Sequence, residues 1–384
     1  MKQKFPVDKF NSLTTPFYYY DTKVLNNTLQ AITKEAGKYN YHLHYAVKAN
    51  ANPRILSIIR EYGLGADCVS GGEIQASLDA GFPANKIVFA GVGKADWEIN
   101  LGIDKEIFCF NAESIPELEL INEFAKLKGK RVQVALRINP EVDAHTHHHI
   151  TTGTKEDKFG INLDCLDKVI DKLNSLEAIN LIGLHFHIGS QITDLKPFQK
   201  LCKRTVEIQE LLYKRGIKIE HLNFGGGLGI DYKNPDVNII SDFKTYFEIF
   251  NSFFTAEPFQ QVHFEPGRAI VGQCGSLISK VLYVKEGSVK KFIVLDAGFT
   301  DLIRPALYNA YHKIENISSE SMEEVYDVVG PICESSDCFA KNIPLNKTER
   351  GDLIALRSAG AYGEIMAMQY NCRKLPDSHF SDSI

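Results

Sequence analysis

The sequence predicts an α/β protein: a (β/α)8, TIM-type barrel with a second, mostly β domain of sandwich or barrel type. Three observations carry the prediction. Short β-type runs alternate with longer amphipathic stretches between Tyr41 and Glu265, the pattern of a parallel α/β fold with enough units to close a barrel. Within those runs apolar and polar side chains alternate, so one face suits a ring of helices and the other a lumen. Beyond about residue 272 the helical signal fades, and β-like runs with Gly-containing turns take over. The expected division is 25–272 for the barrel, and 1–24 with 273–384 for the β domain.

The barrel strands expected in order are 41–47, 66–69, 86–90, 107–110, 132–138, 181–188, 221–224 and 261–265. Segments 53–62, 113–128, 166–176 and 197–215 read as amphipathic helices between them. In the first strand Tyr41, Leu43, Tyr45 and Val47 form an apolar row opposite His42, His44, Ala46 and Lys48. The fifth sets Val132, Val134, Leu136 and Ile138 against Gln133, Arg137 and Asn139. The sixth sets Ile182, Leu184, Phe186 and Ile188 against His185 and His187, and in the eighth Val262 and Phe264 oppose His263 and Glu265. The polar rows are expected to face the lumen. A lumen that serves packing alone is filled with branched apolar residues, so ionisable groups there point to a site at the C-terminal mouth. In the β domain the expected strands are 16–20, 276–284, 291–295 and 353–356.

Composition narrows the function. The chain has 384 residues, 44% hydrophobic and 24% charged, which excludes collagenous, low-complexity and disordered classes. A net charge of −5 gives no reason to expect a nucleic-acid partner. No apolar run approaches the ~20 residues of a membrane helix. Residues 1–6 lack the apolar core of a secretory signal, so no membrane contact and a cytoplasmic location are expected. The eight cysteines form no CxxC pair, which removes zinc-ribbon and thioredoxin-like chemistry. A chain of this size buries a large core without a disulfide framework.

Four segments carry chemistry. Tyr45-Ala46-Val47-Lys48-Ala49-Asn50 ends the first strand with a lysine on the lumen side. In a dry pocket an amine loses its proton readily and can form a Schiff base with a carbonyl; a lysine at a wet strand end is the plainer reading. His187-Ile188-Gly189-Ser190-Gln191 ends the sixth strand with an imidazole able to stack on a flat ring and a hydroxyl for phosphate, although a satisfied core histidine is commoner. Gly225-Gly226-Gly227-Leu228-Gly229 follows the seventh strand, where barrel phosphate sites are built from bare backbone N–H groups. No Lys-Ser/Thr follows it, so it is not a nucleotide P-loop, and a flexible turn is the alternative. Glu265-Pro266-Gly267-Arg268 closes the eighth strand, offering an acid in the lumen and a guanidinium beyond it, or a structural Glu–Arg pair.

One further run is set aside. His145-Thr146-His147-His148-His149 holds four histidines in five positions. Metal ligands must converge, whereas adjacent residues of an extended segment diverge, and no metal is expected.

Together these segments resemble the fold-type III, pyridoxal-phosphate-dependent decarboxylases related to alanine racemase. The resemblance runs in order along nearly the whole chain. Besides the four segments above it includes Gly71-Gly72-Glu73, Asp143-Ala144-His145-Thr146-His147, Lys158-Phe159-Gly160 and Arg304-Pro305-Ala306-Leu307-Tyr308. It continues through Gly330-Pro331-Ile332-Cys333-Glu334-Ser335-Ser336-Asp337 and Gly360-Ala361-Tyr362-Gly363. The stretch after Gly363 departs from the aromatic, serine-rich run that many relatives carry there.

The resemblance implies pyridoxal 5'-phosphate as cofactor, with Lys48 carrying it and Cys333 returning a proton to the substrate carbon after CO2 leaves. It implies that His187 stacks on the ring and that Ser190, Gly226, Gly227, the Gly267-Arg268 backbone and Tyr362 hold the phosphate. Glu265 matches the partner of the ring nitrogen. A carboxylate there keeps that nitrogen protonated and favours decarboxylation, where the racemases place an arginine. Arg268, Arg304 and Tyr308 match the clamp on a distal substrate carboxylate, beside Tyr362, and Glu334 matches the contact to the distal ammonium. Glutamate after the cysteine, where ornithine-type enzymes have aspartate, implies meso-2,6-diaminopimelate as substrate. The implied reaction is decarboxylation at its D-centre to L-lysine and CO2, the last step of lysine biosynthesis. In the family the Cys-Glu segment reaches into the neighbouring subunit's site, which implies a homodimer with shared active sites.

Three alternatives stay open on sequence. Ornithine, arginine or carboxynorspermidine could be the substrate. A non-catalytic pyridoxal-phosphate carrier of the same barrel lineage would lack the Cys333 and Tyr362 segments. A racemase would exchange the α-proton without releasing gas.

Overall fold

The computed structural model describes residues 5–143 and 158–384, so the histidine run at 145–149 lies outside the described residues. The chain divides into two compact units. One comprises Leu29–Gly229 and Asp242–Gly267; the other comprises the chain up to Thr28, Ile230–Ser241 and Arg268–Ile384. The excursion at 230–241, expected within the barrel, therefore groups with the second unit. Its attachments explain why: Gln273 Nε2 donates to the Asp231 carbonyl at 2.9 Å, and Arg357 pairs with Asp236 at 3.1 Å.

Strand β1 (Phe17–Tyr20) belongs to the second unit. In the first, β2 (His42–Ala46), β3 (Gly65–Cys68), β4 (Ile87–Phe89), β5 (Cys109–Ala112), β6 (Val132–Arg137), β7 (Ile179–His185), β8 (His221–Asn223) and β9 (Gln261–Phe264) pair in parallel. Among the described residues these strands close a barrel in sequence order, β9 returning to β2. Helices fill the crossovers. Several start at a side-chain cap that satisfies an otherwise orphaned backbone N–H: Asn52 accepts from Arg54, Ser70 from Glu73, Ser114 from Glu117 and Asp242 from Thr245. The helices Thr22–Gly37, Gly71–Asp79, Asp96–Lys105 and Phe243–Phe253 lie outside the amphipathic stretches expected from the sequence.

The lumen is layered. Toward the N-terminal strand ends stands a hydrogen-bonded column of imidazoles. His44 Nδ1 lies 3.1 Å from the Lys86 carbonyl, which can only accept, so that nitrogen carries the hydrogen. Nε2 of His44 then accepts from Nδ1 of His263 at 3.0 Å, and Nε2 of His263 accepts from Nδ1 of His221 at 3.0 Å. One carbonyl thus fixes three neutral tautomers. Burial keeps them neutral, pushing His44 down to about 4 and His263 well below its ordinary value.

Val88, Cys109, Ala135 and Ile182 form an apolar cluster within the barrel. Ile182 was expected on the helix-facing row. The β6–β7 register shifts by a residue between Val134 and Ala135, which oppose Leu181 and Gly183, and this irregularity frees Ile182 to join the cluster. Toward the C-terminal ends come Asp67, Asn111, His185 and Glu265, contributed by alternate strands as barrel layers are.

The second unit is a mostly antiparallel sheet. Its strands are β1, β10 (Gly275–Glu286), β11 (Lys291–Leu295), β12 (Ile314–Asn316), β13 (Glu323–Val329), β14 (Cys338–Asn346), β15 (Leu353–Leu356) and β16 (Asp377–Phe380). The order is β12-β15-β10-β11-β13-β14, with β1 antiparallel to β10 and parallel to β16. The N-terminal segment thus enters the C-terminal sheet. Its aromatic face buries Phe10, Phe17 and Tyr19 against Ile278, Leu353 and Ala355, area whose removal from water is worth about 25 cal/mol per Å2.

Candidate coenzyme and substrate site

In the barrel unit, Lys48 stands in a tight turn, Val47–Ala49, just past β2 rather than within it. Its Nζ donates to Asp67 Oδ2 at 3.1 Å; the lysine side chain is 35% exposed, the carboxylate fully buried. Burial raises the Asp67 carboxyl, and the Lys48 ammonium opposes that. Asp67 Oδ1 has no hydrogen-bond partner among the described residues.

Glu265 follows β9 and is buried. Its Oε2 takes Nε2 of His185 at 2.8 Å, and its Oε1 takes the Asn223 amide at 2.7 Å and the Asn111 amide at 3.5 Å. Burial alone would raise this carboxyl. The His185 imidazole and the Lys48 ammonium outweigh it, and Glu265 is held well below the usual carboxylate range.

His187 is half-buried, and burial together with the nearby Lys48 ammonium drives its pKa well down, so the ring is neutral. Its Nδ1 accepts from the Gly226 backbone N–H at 3.3 Å, tying the imidazole to the glycine turn. That turn needs its glycines. A Cβ on Gly226 would sit 2.2 Å from the Glu265 carbonyl oxygen, and Gly227 has a φ of +111°. Ser190 is half-buried on the turn after Gly189, and Gly267 packs where a Cβ would come within 3.1 Å of Ala46 and Ala49.

A second buried ion network lies at the strand ends. Glu113 pairs with Arg137 at 2.6 Å and accepts from Gly160 N at 2.9 Å, while Lys94, its side chain 1% exposed, pairs with Glu117 at 2.5 Å. Arg137 also lies over the Phe159 ring at 4.8 Å. The network fixes the Lys158-Phe159-Gly160 segment against β6.

In the β unit, two arginines converge on one hydroxyl. Arg268 Nη1 donates to Tyr232 Oη at 2.5 Å and Arg304 Nη1 donates to it at 2.7 Å. Tyr362, held at a φ of +56°, lies under the Arg268 guanidinium at 4.9 Å. Tyr308 ends the short helix Arg304–Tyr308 and is half-buried. His312 donates from Nδ1 to the Arg357 carbonyl at 2.9 Å, leaving a bare Nε2 3.5 Å from Arg304.

Cys333 and Glu334 lie exposed on a fixed turn. Asp337 organises it, accepting from Ile332 N at 2.7 Å and from Phe299 N at 2.7 Å. Tyr370 donates to Glu334 Oε1 at 2.7 Å and stacks on Phe299, so the divergent stretch after Gly363 supports the turn.

The expected residues thus separate by unit. Lys48, His187, Ser190, Gly226, Gly227, Glu265 and Gly267 lie in the barrel unit; Arg268, Arg304, Tyr308, Cys333, Glu334 and Tyr362 lie in the β unit. Sequence reasoning missed Asp67, Asn223, Tyr232, His312 and Tyr370. Asp67 was findable as an acid inside an apolar strand. The other four had no local signal. The barrel residues fit pyridoxal phosphate: an amine beside an orphaned carboxylate oxygen, a buried ionised acid just past the last strand, and a glycine turn whose backbone no Cβ covers.

Comparison with known proteins agrees. Residues 23–272 match the model of the pyridoxal-dependent decarboxylase, pyridoxal-binding domain. A diaminopimelate decarboxylase of Bacteroides thetaiotaomicron is 65% identical over 385 aligned positions, covering all of both chains. One from Aquifex aeolicus is 40% identical over 94% of this chain and 84% of its own. A crystal structure of diaminopimelate decarboxylase from Helicobacter pylori complexed with L-lysine superposes with a TM-score of 0.91 at 38% identity, over 97% of this chain and 93% of that one. With a domain match over most of its length and relatives this similar from end to end, the chain belongs to the diaminopimelate decarboxylases of the pyridoxal-dependent decarboxylase family.

Proposed function

We propose that the protein decarboxylates meso-2,6-diaminopimelate at its D-centre, giving L-lysine and CO2. The observation that carries the substrate is the convergence of Arg268 and Arg304 in the β unit. Two guanidiniums at one point suit a substrate with a carboxylate at its far end, which ornithine and arginine lack. The 65% identical relative named diaminopimelate decarboxylase supports the same reading.

Pyridoxal phosphate, when bound, supplies the sink for the electron pair left as CO2 departs. Lys48 is the residue that holds it by its aldehyde, and Asp67 positions the Lys48 amine and balances its charge. Glu265, ionised and braced by His185 and Asn223, keeps a proton at the ring nitrogen. His187 offers a neutral imidazole face. Ser190, Gly226, Gly227, the Gly267-Arg268 backbone and Tyr362 hold the phosphate. Arg268, Arg304 and Tyr308 bind the distal carboxylate, and Glu334 binds the distal ammonium. Cys333 delivers the proton that replaces CO2.

The exposed, braced turn carrying Cys333 and Glu334 favours a homodimer in which it completes the neighbour's site. Among the described residues no helix is long and apolar enough to cross a membrane; cytoplasmic residence suits a biosynthetic enzyme. The test is a product assay with meso-diaminopimelate, ornithine, arginine and carboxynorspermidine. Equimolar CO2 and lysine from the first is the expected result. Preferred turnover of another, or proton exchange without gas, overturns the reading.

A further inference from the structure

Tyr232 sits on the excursion at 230–241, and its hydroxyl has unusual company. A phenol oxygen has two lone pairs and one O–H. Arginine has no acceptor, so the contacts from Arg268 Nη1 at 2.5 Å and Arg304 Nη1 at 2.7 Å each occupy a lone pair. The O–H hydrogen is what remains, and among the described residues no acceptor is recorded for it. Arg304 has no carboxylate partner among the described residues either; behind it stands only the bare Nε2 of His312 at 3.5 Å. Two flanking cations and one spare donor define an acceptor that is small, anionic and able to take several hydrogen bonds at once.

We infer that Tyr232 binds the substrate's distal carboxylate directly, as a further donor between the two arginines, and spaces the guanidiniums to receive it. This rests on the proposed reading of Arg268 and Arg304 as a carboxylate clamp. The phenol then does two things no apolar ring could do. It gives both guanidiniums a common acceptor while the clamp is empty, and it adds a hydrogen bond to a charged group once the clamp is filled.

The test is Tyr232→Phe in the holoenzyme, which keeps the ring, with Arg304→Met as the reference for the clamp. L-Lysine retains the distal carboxylate and cadaverine lacks it, so the two serve as competing probes. The expected result is a rise of about tenfold or more in KM for meso-diaminopimelate with kcat changed by less than about threefold. Inhibition by L-lysine weakens by the same factor while inhibition by cadaverine is unchanged. Equal weakening of both probes makes the hydroxyl an architectural support only, and no weakening of either removes it from binding; each result overturns the inference. Should Arg304→Met leave KM unaltered, the clamp reading itself fails, a separable result because it needs no Tyr232 variant.

Discussion

Burial by itself would push the Glu265 carboxyl toward its neutral form, and a neutral acid cannot hold a proton on a ring nitrogen by charge. The His185 imidazole at 2.8 Å and the Lys48 ammonium tip the balance the other way. Glu265→Gln keeps the shape and removes the charge. It is expected to lower kcat by on the order of 100-fold, with coenzyme content largely retained, as the loss of one preorganised electrostatic group does; steady-state kinetics with coenzyme absorbance check it. Asp67→Asn, which weakens the hold on the Lys48 amine, is expected to slow coenzyme capture by the apoprotein more than it alters KM, as stopped-flow absorbance would reveal. Lys48 and Glu265 were legible because each follows closely on a strand in a recognisable local run. Tyr232 was not, because its meaning comes from two arginines distant in sequence.

The glycine turn after β8 and the imidazole column show how elements, rather than residues, set the site. Gly226→Ala places a Cβ 2.2 Å from the Glu265 carbonyl oxygen, so the turn or the end of β9 must move. The expected cost is about 1–3 kcal/mol of stability with weakened coenzyme affinity, read from thermal midpoints with and without added coenzyme. The column gives a pH dependence. His44 falls to about 4 in the fold against an ordinary value near 6.5, so between those values the unfolded chain binds the proton more readily. Its contribution to stability is full above about pH 6.5 and is lost as pH falls toward 4, to a limit of roughly 3 kcal/mol. Urea midpoints across that range are expected to drop in the wild type and to drop less in His44→Gln. Strand alternation read His44 and His263 of the column as lumen residues but could not foresee the register shift that places Ile182 with Val88, Cys109 and Ala135, since registers depend on the partner strand.

At the scale of the whole molecule, the β/α alternation was legible because it is written in local periodicity. The grouping of the 230–241 segment with the β unit was not, because it depends on pairs such as Arg357 with Asp236 that span more than a hundred residues. Assembly is tested by mixing two inactive variants, Lys48→Ala and Cys333→Ala, under conditions that exchange subunits. If each site draws Lys48 from one chain and Cys333 from the other, random pairing restores roughly a quarter of wild-type activity, since half the dimers carry one intact site. No recovery would place both residues in one chain's site.

The central claim is that Lys48 is the amine that holds the coenzyme. Borohydride reduction of the holoenzyme, followed by digestion and mass analysis, locates the coenzyme-bearing peptide directly. The account predicts a single phosphopyridoxyl adduct on Lys48, absent from Lys48→Ala. An adduct on another lysine, such as the buried Lys94, or an unchanged yield from the variant, would contradict it.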